Sequence, residues 1–238
     1  MQIIYEDNHL LIVSKTCHEI VQGDKTGDEP LPETLKRFIK ERDQKPGNVF
    51  LGVTHRLDRP TSGIVIFAKT SKALERMNRM FAEGQVHKTY WAIVENRFSQ
   101  DGIPMESDLR HWLVRDEKNN RSRAYSVQPT DRNGNPYKEA KEARLHYRCI
   151  ATTERYALLE VQLFTGRHHQ IRCQLSSIGL SIKGDLKYGA PRSNADGGIS
   201  LHSRKVSFIH PVSKEEIMLT APVPDDNLWK ALSEATSS

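Results

Sequence analysis

His55-Arg56-Leu57-Asp58-Arg59-Pro60-Thr61-Ser62-Gly63 leads straight into Ile64-Val65-Ile66-Phe67-Ala68. The first nine residues read as a charged loop, and the next five as a short buried strand. An aspartate lies between two arginines just where the chain enters the core. Gly63 lets the backbone pack tightly at that entry. Taken alone, the loop also fits an ordinary turn in which Asp58 or Thr61 bonds nearby backbone N–H groups.

Outward from this stretch, the pattern is of short strands with few helices. Ser71 opens a helix through Ala82, with Leu74, Met77, Met80 and Phe81 on one face and Gly84 closing it. Before the loop, Ile3–Ser14 reads as two strands around the polar turn Glu6-Asp7-Asn8-His9. Asp24–Glu29 is a Gly/Asp-rich loop, Leu35–Arg42 a short amphipathic helix, and Gly47–Thr54 leads into a strand. After it, Lys88–Val94 is a strand. Residues 96–148 are polar and turn-rich, with Asp131-Arg132-Asn133-Gly134-Asn135-Pro136 as a turn or hairpin flanked by strands at Arg123–Val127 and Ala143–Cys149. Tyr156–Phe164 alternates as a half-buried strand does. His169–Ile178 reads as a helix stopped by Gly179, Leu201–Ile209 as a strand, and Asn227–Ala235 as a terminal helix. Adjoining strands that outnumber helices imply an α+β fold with a mostly antiparallel sheet. No linker or repeat divides the chain, so residues 1–238 read as a single domain.

Composition narrows the function classes. The chain has 238 residues, 37% hydrophobic and 27% charged, which excludes a disordered or collagenous protein. The apolar stretch 63–68 is far too short to cross a bilayer, and the N-terminus lacks the pattern of a secretory signal. Cys17, Cys149 and Cys173 form neither a disulfide framework nor a zinc pattern, and a reducing cytoplasm is the default. Net charge is +5, unevenly spread. The first fifty residues hold 7 Lys/Arg against 9 Asp/Glu, whereas Arg110–Arg148 holds 10 against 5 and Phe164–Arg192 holds 5 against 1. Such segments suit a polyanion partner, and equally a solvated basic surface.

A second segment, Thr165-Gly166-Arg167-His168-His169-Gln170-Ile171-Arg172, turns through glycine into a helix headed by cationic and hydrogen-bonding side chains. Adjacent histidines invite a metal reading. On a helix they point roughly 100° apart and lack the i, i+4 spacing of a zinc helix. A cationic site for a carboxylate and a phosphate fits the residues better.

These two segments resemble motifs of the RluA-type pseudouridine synthases. His55–Gly63 is similar to that family's signature, Lys88-Thr89-Tyr90-Trp91-Ala92 to its tyrosine motif, and Gly166–Arg172 to its third motif. Gly184-Asp185-Leu186-Lys187-Tyr188-Gly189, Leu201-His202 and Phe208-Ile209-His210-Pro211 fit its C-terminal pattern. The resemblance runs from about Ile3 to Val223. It implies the pseudouridine synthase fold, a mixed, mostly antiparallel sheet in two subdomains with a central cleft. It implies Asp58 as the catalytic aspartate, Tyr90 as the aromatic against the target uracil, and Arg172 as the cation paired with the aspartate. Arg56 would fill the gap left by a flipped-out nucleotide, with His55, Arg59, Arg167 and His169 as further RNA contacts. The implied reaction detaches uracil, turns it and rejoins it through carbon. It needs a carboxylate to attack the sugar or to remove a sugar proton, but no metal and no cofactor.

The implied partner is ribosomal or transfer RNA, with neither a membrane nor an obligate protein partner. Longer relatives often carry an N-terminal RNA-binding module. Here the pattern starts at Met1, so RNA affinity is expected from the catalytic domain, with Arg110–Arg148 as the candidate surface. Pro60 stands where many relatives have an acidic residue. Two other readings remain: a non-catalytic RNA-binding or RNA-folding module on the same fold, and a metal hydrolase built on His55, His168 and His169.

Overall fold

The computed structural model describes residues 1–23, 27–98 and 102–236, so part of the Asp24–Glu29 loop lies outside the described residues. In chain order the strands are β1 (Gln2–Glu6), β2 (Leu10–Lys15), β3 (Gly52–Val53), β4 (Ser62–Ala68), β5 (His87–Glu95), β6 (Glu106–Asp116), β7 (Arg121–Tyr125), β8 (Lys141–Thr152), β9 (Tyr156–Leu163), β10 (Leu201–Ile209) and β11 (Glu216–Thr220). The helices are α1 (Leu31–Arg42), α2 (Ser71–Ala82), α3 (Gln170–Ser177) and α4 (Asn227–Glu234), with a 3-10 turn at Leu186–Tyr188. This is an α+β fold. No helix of the described residues is long and apolar enough to cross a membrane.

The chain forms two compact units, Met1–Lys88 with His202–Pro224, and Thr89–Leu201 with the segment from Asp225. In the first unit, β1 pairs β2, β2 pairs β4, and β10 pairs β11, all antiparallel. β10 runs parallel to β4, with His202 beside Ser62 and Ser203 beside Gly63. After Ser62, strand β4 is apolar and buried, being paired on both edges. Its far end pairs β3 at Phe67 and Ala68. Between β10 and β3 the ladder is completed by side chains: His55 Nε2 accepts the Ile66 N–H at 3.1 Å, and Thr54 Oγ1 donates to the Ile66 carbonyl at 2.7 Å. Helix α2 lies on this sheet through Ala73, Met77 and Met80, which pack with Ile64, Ile66, Val206 and Phe208. Thr70 caps α2 by accepting the Ala73 N–H at 3.1 Å.

In the second unit the antiparallel order is β5-β9-β8-β6-β7. Helix α3 packs on one face, where Cys173 meets Leu113, Ala143 and Tyr188. The sequence reading of 96–148 as polar and turn-rich missed β6, an eleven-residue strand. Helix α1 begins four residues before the expected start, with prolines 30 and 32 setting its first turn. The short strand β11 also escaped the sequence pattern, since only Ile217 in it is buried.

Candidate active site

Asp58 sits in a tight turn at the head of β4, closed by the Thr61 N–H donating to the Asp58 carbonyl at 3.0 Å. The turn is tied down from below by Lys15 at the end of β2. Its ammonium, 1% exposed, donates to the carbonyls of Thr16 at 2.8 Å, Arg59 at 3.0 Å and Thr61 at 2.5 Å. Three donors thus meet three acceptors, which is what makes a buried ammonium tolerable. Burial pushes the Lys15 amine down to about 8, with Glu19, Cys17 and Asp58 acting in the opposite direction. In the sequence the apolar run Leu10–Val13 leads directly into Lys15, a lysine at the end of a buried strand.

The flanking residues of this loop divide by role. Arg56 donates to the Gln22 side chain, and Arg59 pairs with Asp28 at 2.6 Å on the surface. His55 is engaged by the scaffold. Besides accepting from Ile66, its ring lies 4.8 Å from that of Phe81. Burial, followed by the nearby Lys88 charge, holds its pKa well below the usual histidine value.

In the second unit, Tyr90 lies on β5 opposite Val161 and is 5% exposed. Arg172, on α3, is 5% exposed, and its Nε and Nη2 donate to the two oxygens of Asp185 at 2.6 and 2.8 Å. Asp185 itself is 1% exposed. This bidentate pair gives the guanidinium a set position. The Arg172 guanidinium also lies 5.0 Å from the centre of the Tyr188 ring. Within its own unit, the carboxylate that meets Arg172 is that of Asp185.

Tyr188 extends the network. Its hydroxyl accepts the Ser122 N–H at 2.7 Å and sits 3.0 Å from His169 Nδ1. With that backbone donor in place, the phenol proton points to the imidazole. Burial pushes the Tyr188 phenol up to about 12. His169, the residue before α3, adopts φ 51°, and burial, followed by the Arg172 charge, pushes its pKa down to about 2. It is a neutral, inward-facing acceptor. His168 stacks on it at 3.8 Å and reaches Ser122 Oγ and Asn120 Oδ1. Arg167 is exposed, its Nε donating to the Glu142 carbonyl at 2.9 Å. Among the described residues no group of three His, Cys, Asp or Glu is arranged to hold a metal ion.

Comparison with known proteins agrees with these motifs. Residues 9–177 match the family model of RNA pseudouridylate synthases. The tRNA pseudouridine synthase C of Vibrio parahaemolyticus is 30% identical over 98% of this chain and 93% of its own length. The ribosomal large subunit pseudouridine synthase D of Zymomonas mobilis is 32% identical over 95% of this chain and 70% of its own. Among solved structures, human RNA pseudouridylate synthase domain containing 4 shares the fold with a TM-score of 0.76 at 23% identity, covering 99% of this chain and 93% of that one. The chain belongs to the RNA pseudouridylate synthase family, whose RluA-type motifs the Asp58 and Arg172 segments carry.

Proposed function

We propose that this chain converts particular uridines of structured RNA, ribosomal or transfer RNA, into pseudouridine in the cytoplasm, without a membrane or an obligate protein partner. Asp58 supplies the carboxylate that acts on the sugar, Tyr90 lies against the uracil, and Arg172 is the cation that pairs with the carboxylate. Arg56 fills the space of the flipped nucleotide, whose unstacking costs a few kcal/mol. Of the other candidates, Arg59 and Arg167 meet the RNA, while His55 and His169 hold the loops that present them. The reaction exchanges one glycosidic bond for another within the same nucleotide. It therefore calls for no oxidant, no donor group and no metal.

The observation that carries this reading is the anchoring of the Asp58 turn on Lys15, whose three carbonyl contacts hold the carboxylate's backbone in place. The names of the relatives support both substrate classes, since one is called a tRNA enzyme and the other a ribosomal large subunit enzyme. Mapping pseudouridines in total RNA from cells with and without the gene identifies the substrate. Cells restored with Asp58→Asn are expected to look like the deletion, because the amide keeps the size of the side chain but cannot act as a carboxylate. Restoration of the modified sites by Asp58→Asn overturns the assignment.

A further inference from the structure

The second unit's sheet has a face turned away from Tyr90, and of the motif segments only Arg167 reaches it. Tyr90, Val161 and Tyr147 are cross-strand neighbours on the face toward the buried side. Side chains alternate along a strand, so Gln162 points the other way, and Phe164, the residue just past β9, is an exposed ring that continues the ladder. The Phe164 N–H donates to the Arg144 carbonyl at 3.0 Å, and Arg144 is paired with Arg110 on β6. Phe164, Arg144 and Arg110 therefore form one row across three neighbouring segments. Phe164 is 58% exposed. Arg110 pairs with Glu142 at 2.5 Å, and Arg167 comes from the turn after Phe164 to the Glu142 carbonyl. No side chain among the described residues pairs with the Arg144 guanidinium or stacks on the Phe164 ring.

Two arginines directly opposite one another in a sheet repel. An exposed phenyl ring leaves apolar area in water. An anion beside Arg144 removes the first cost, and a flat ring laid on Phe164 removes the second. A single RNA strand supplies both at the spacing of neighbouring nucleotides, with bases stacking on aromatic rings and phosphates meeting cations. An acidic peptide would satisfy the arginines and leave the ring bare.

We propose that this row is a second RNA-binding surface, on the sheet face opposite Tyr90. One unpaired base stacks on Phe164, and an adjoining phosphate is held by Arg144, with Arg110 and Arg167 flanking it. The proposal rests on the chain's being an RNA-modifying enzyme, and it extends the contact with substrate beyond the catalytic loops. It applies to strands flanking the target uridine, which must be held while the target base is out of its stack.

The test uses the full chain and a fluorescent oligouridylate of roughly ten nucleotides, with affinity read by anisotropy across a salt series. Phe164→Ala is expected to weaken binding by about tenfold with the salt dependence unchanged, since stacking releases no counterions. Phe164→Trp is expected to keep the parent affinity, and Phe164→Leu to bind as weakly as Phe164→Ala despite being apolar. Arg144→Gln is expected to weaken binding and to lower the slope of log K against log salt by about 0.7. Parent affinity and parent slope in both Phe164→Ala and Arg144→Gln would overturn the proposal. So would polyglutamate competing as well as RNA. Asp58→Asn separates this from the catalytic reading: its turnover tests that reading, while the Phe164 and Arg144 binding series stands or falls by itself.

Discussion

Arg172 and Asp185 are both withdrawn from water, so neither ion has solvent to fall back on if the other is removed. Burying two charges is costly, and their attraction roughly offsets the cost only while the fork stays intact. Asp185→Asn is therefore expected to destabilise the protein by roughly 3–5 kcal/mol, read as a lowered urea midpoint. Arg172→Met is expected to cost as much by stranding Asp185, with Arg172→Lys in between, since lysine keeps the charge but loses the planar fork. The double variant Arg172→Met with Asp185→Leu is expected to recover most of the stability and none of the activity, which separates the role of the pair in folding from the role of Arg172 in chemistry. An Asp185→Asn midpoint equal to the parent's would show the pair contributes nothing. The residues of this site were unevenly legible. Arg172 stood out through its motif. Asp185 is the sole carboxylate between residues 164 and 192, but no local pattern marks it as the partner of Arg172, which only the fold brings to it. Tyr188 gave no periodic signal, because it belongs to a single 3-10 turn whose importance arises from what it touches.

At the scale of elements, the entry of β4 from the Asp58 turn depends on an absent side chain. Gly63 has φ +106°, and a Cβ there would lie 2.3 Å from the Ser203 carbonyl oxygen and 2.6 Å from its nitrogen. Both obstacles are backbone atoms of β10, held in place by the parallel pairing of Ser203 with Gly63. Gly63→Ala must therefore part the two strands as well as adopt an unfavourable backbone conformation. The expected result is a loss of several kcal/mol in stability, with poor recovery of folded protein. Ser62→Ala, one residue earlier, loses only the hydroxyl that contacts His202 Nδ1 at 2.9 Å, and is expected to fold. Gly63→Ala unfolding at the parent's temperature would show that β10 can shift freely. The sequence pattern made β4, α2, β9 and β10 legible because each has one unambiguous period. It hid β6 because Asp108, Arg110 and Trp112 face outward among charges, while the inward set of Leu109, His111 and Leu113 is interrupted by a histidine. That His111 is accommodated by Gln174, reaching over from α3 at 3.1 Å, which no local pattern could announce.

Over the whole molecule, both units carry buried histidines that must stay neutral, and His55 and His202 lie in the first. His202, in the first, is pushed down to about 3, chiefly by burial and then by the Arg204 charge. His169, in the second, is pushed down to about 2 by burial and then by Arg172. In the unfolded chain both titrate near 6.5. Below that pH the unfolded state binds protons that the folded state refuses, so stability falls as pH falls, by up to about 1.4 kcal/mol per pH unit for each histidine. The carboxylates come in later. Glu6, lowered to about 2 chiefly by its bonds with Arg42, contributes stability above its unfolded pKa near 4.5 and loses it as pH drops toward 2. The interval from pH 6.5 to 4.5 therefore belongs mainly to the histidines. Urea denaturation at steps through that interval is expected to show a steady loss in the parent protein. His202→Gln removes one titrating ring from the first unit. His169→Asn removes the other and keeps a residue that tolerates its left-handed backbone. Each variant is expected to be less stable than the parent at pH 7.5, having lost its native hydrogen bond, yet to lose less stability on acidification. A parent slope that neither substitution changes would place the acid sensitivity in other groups.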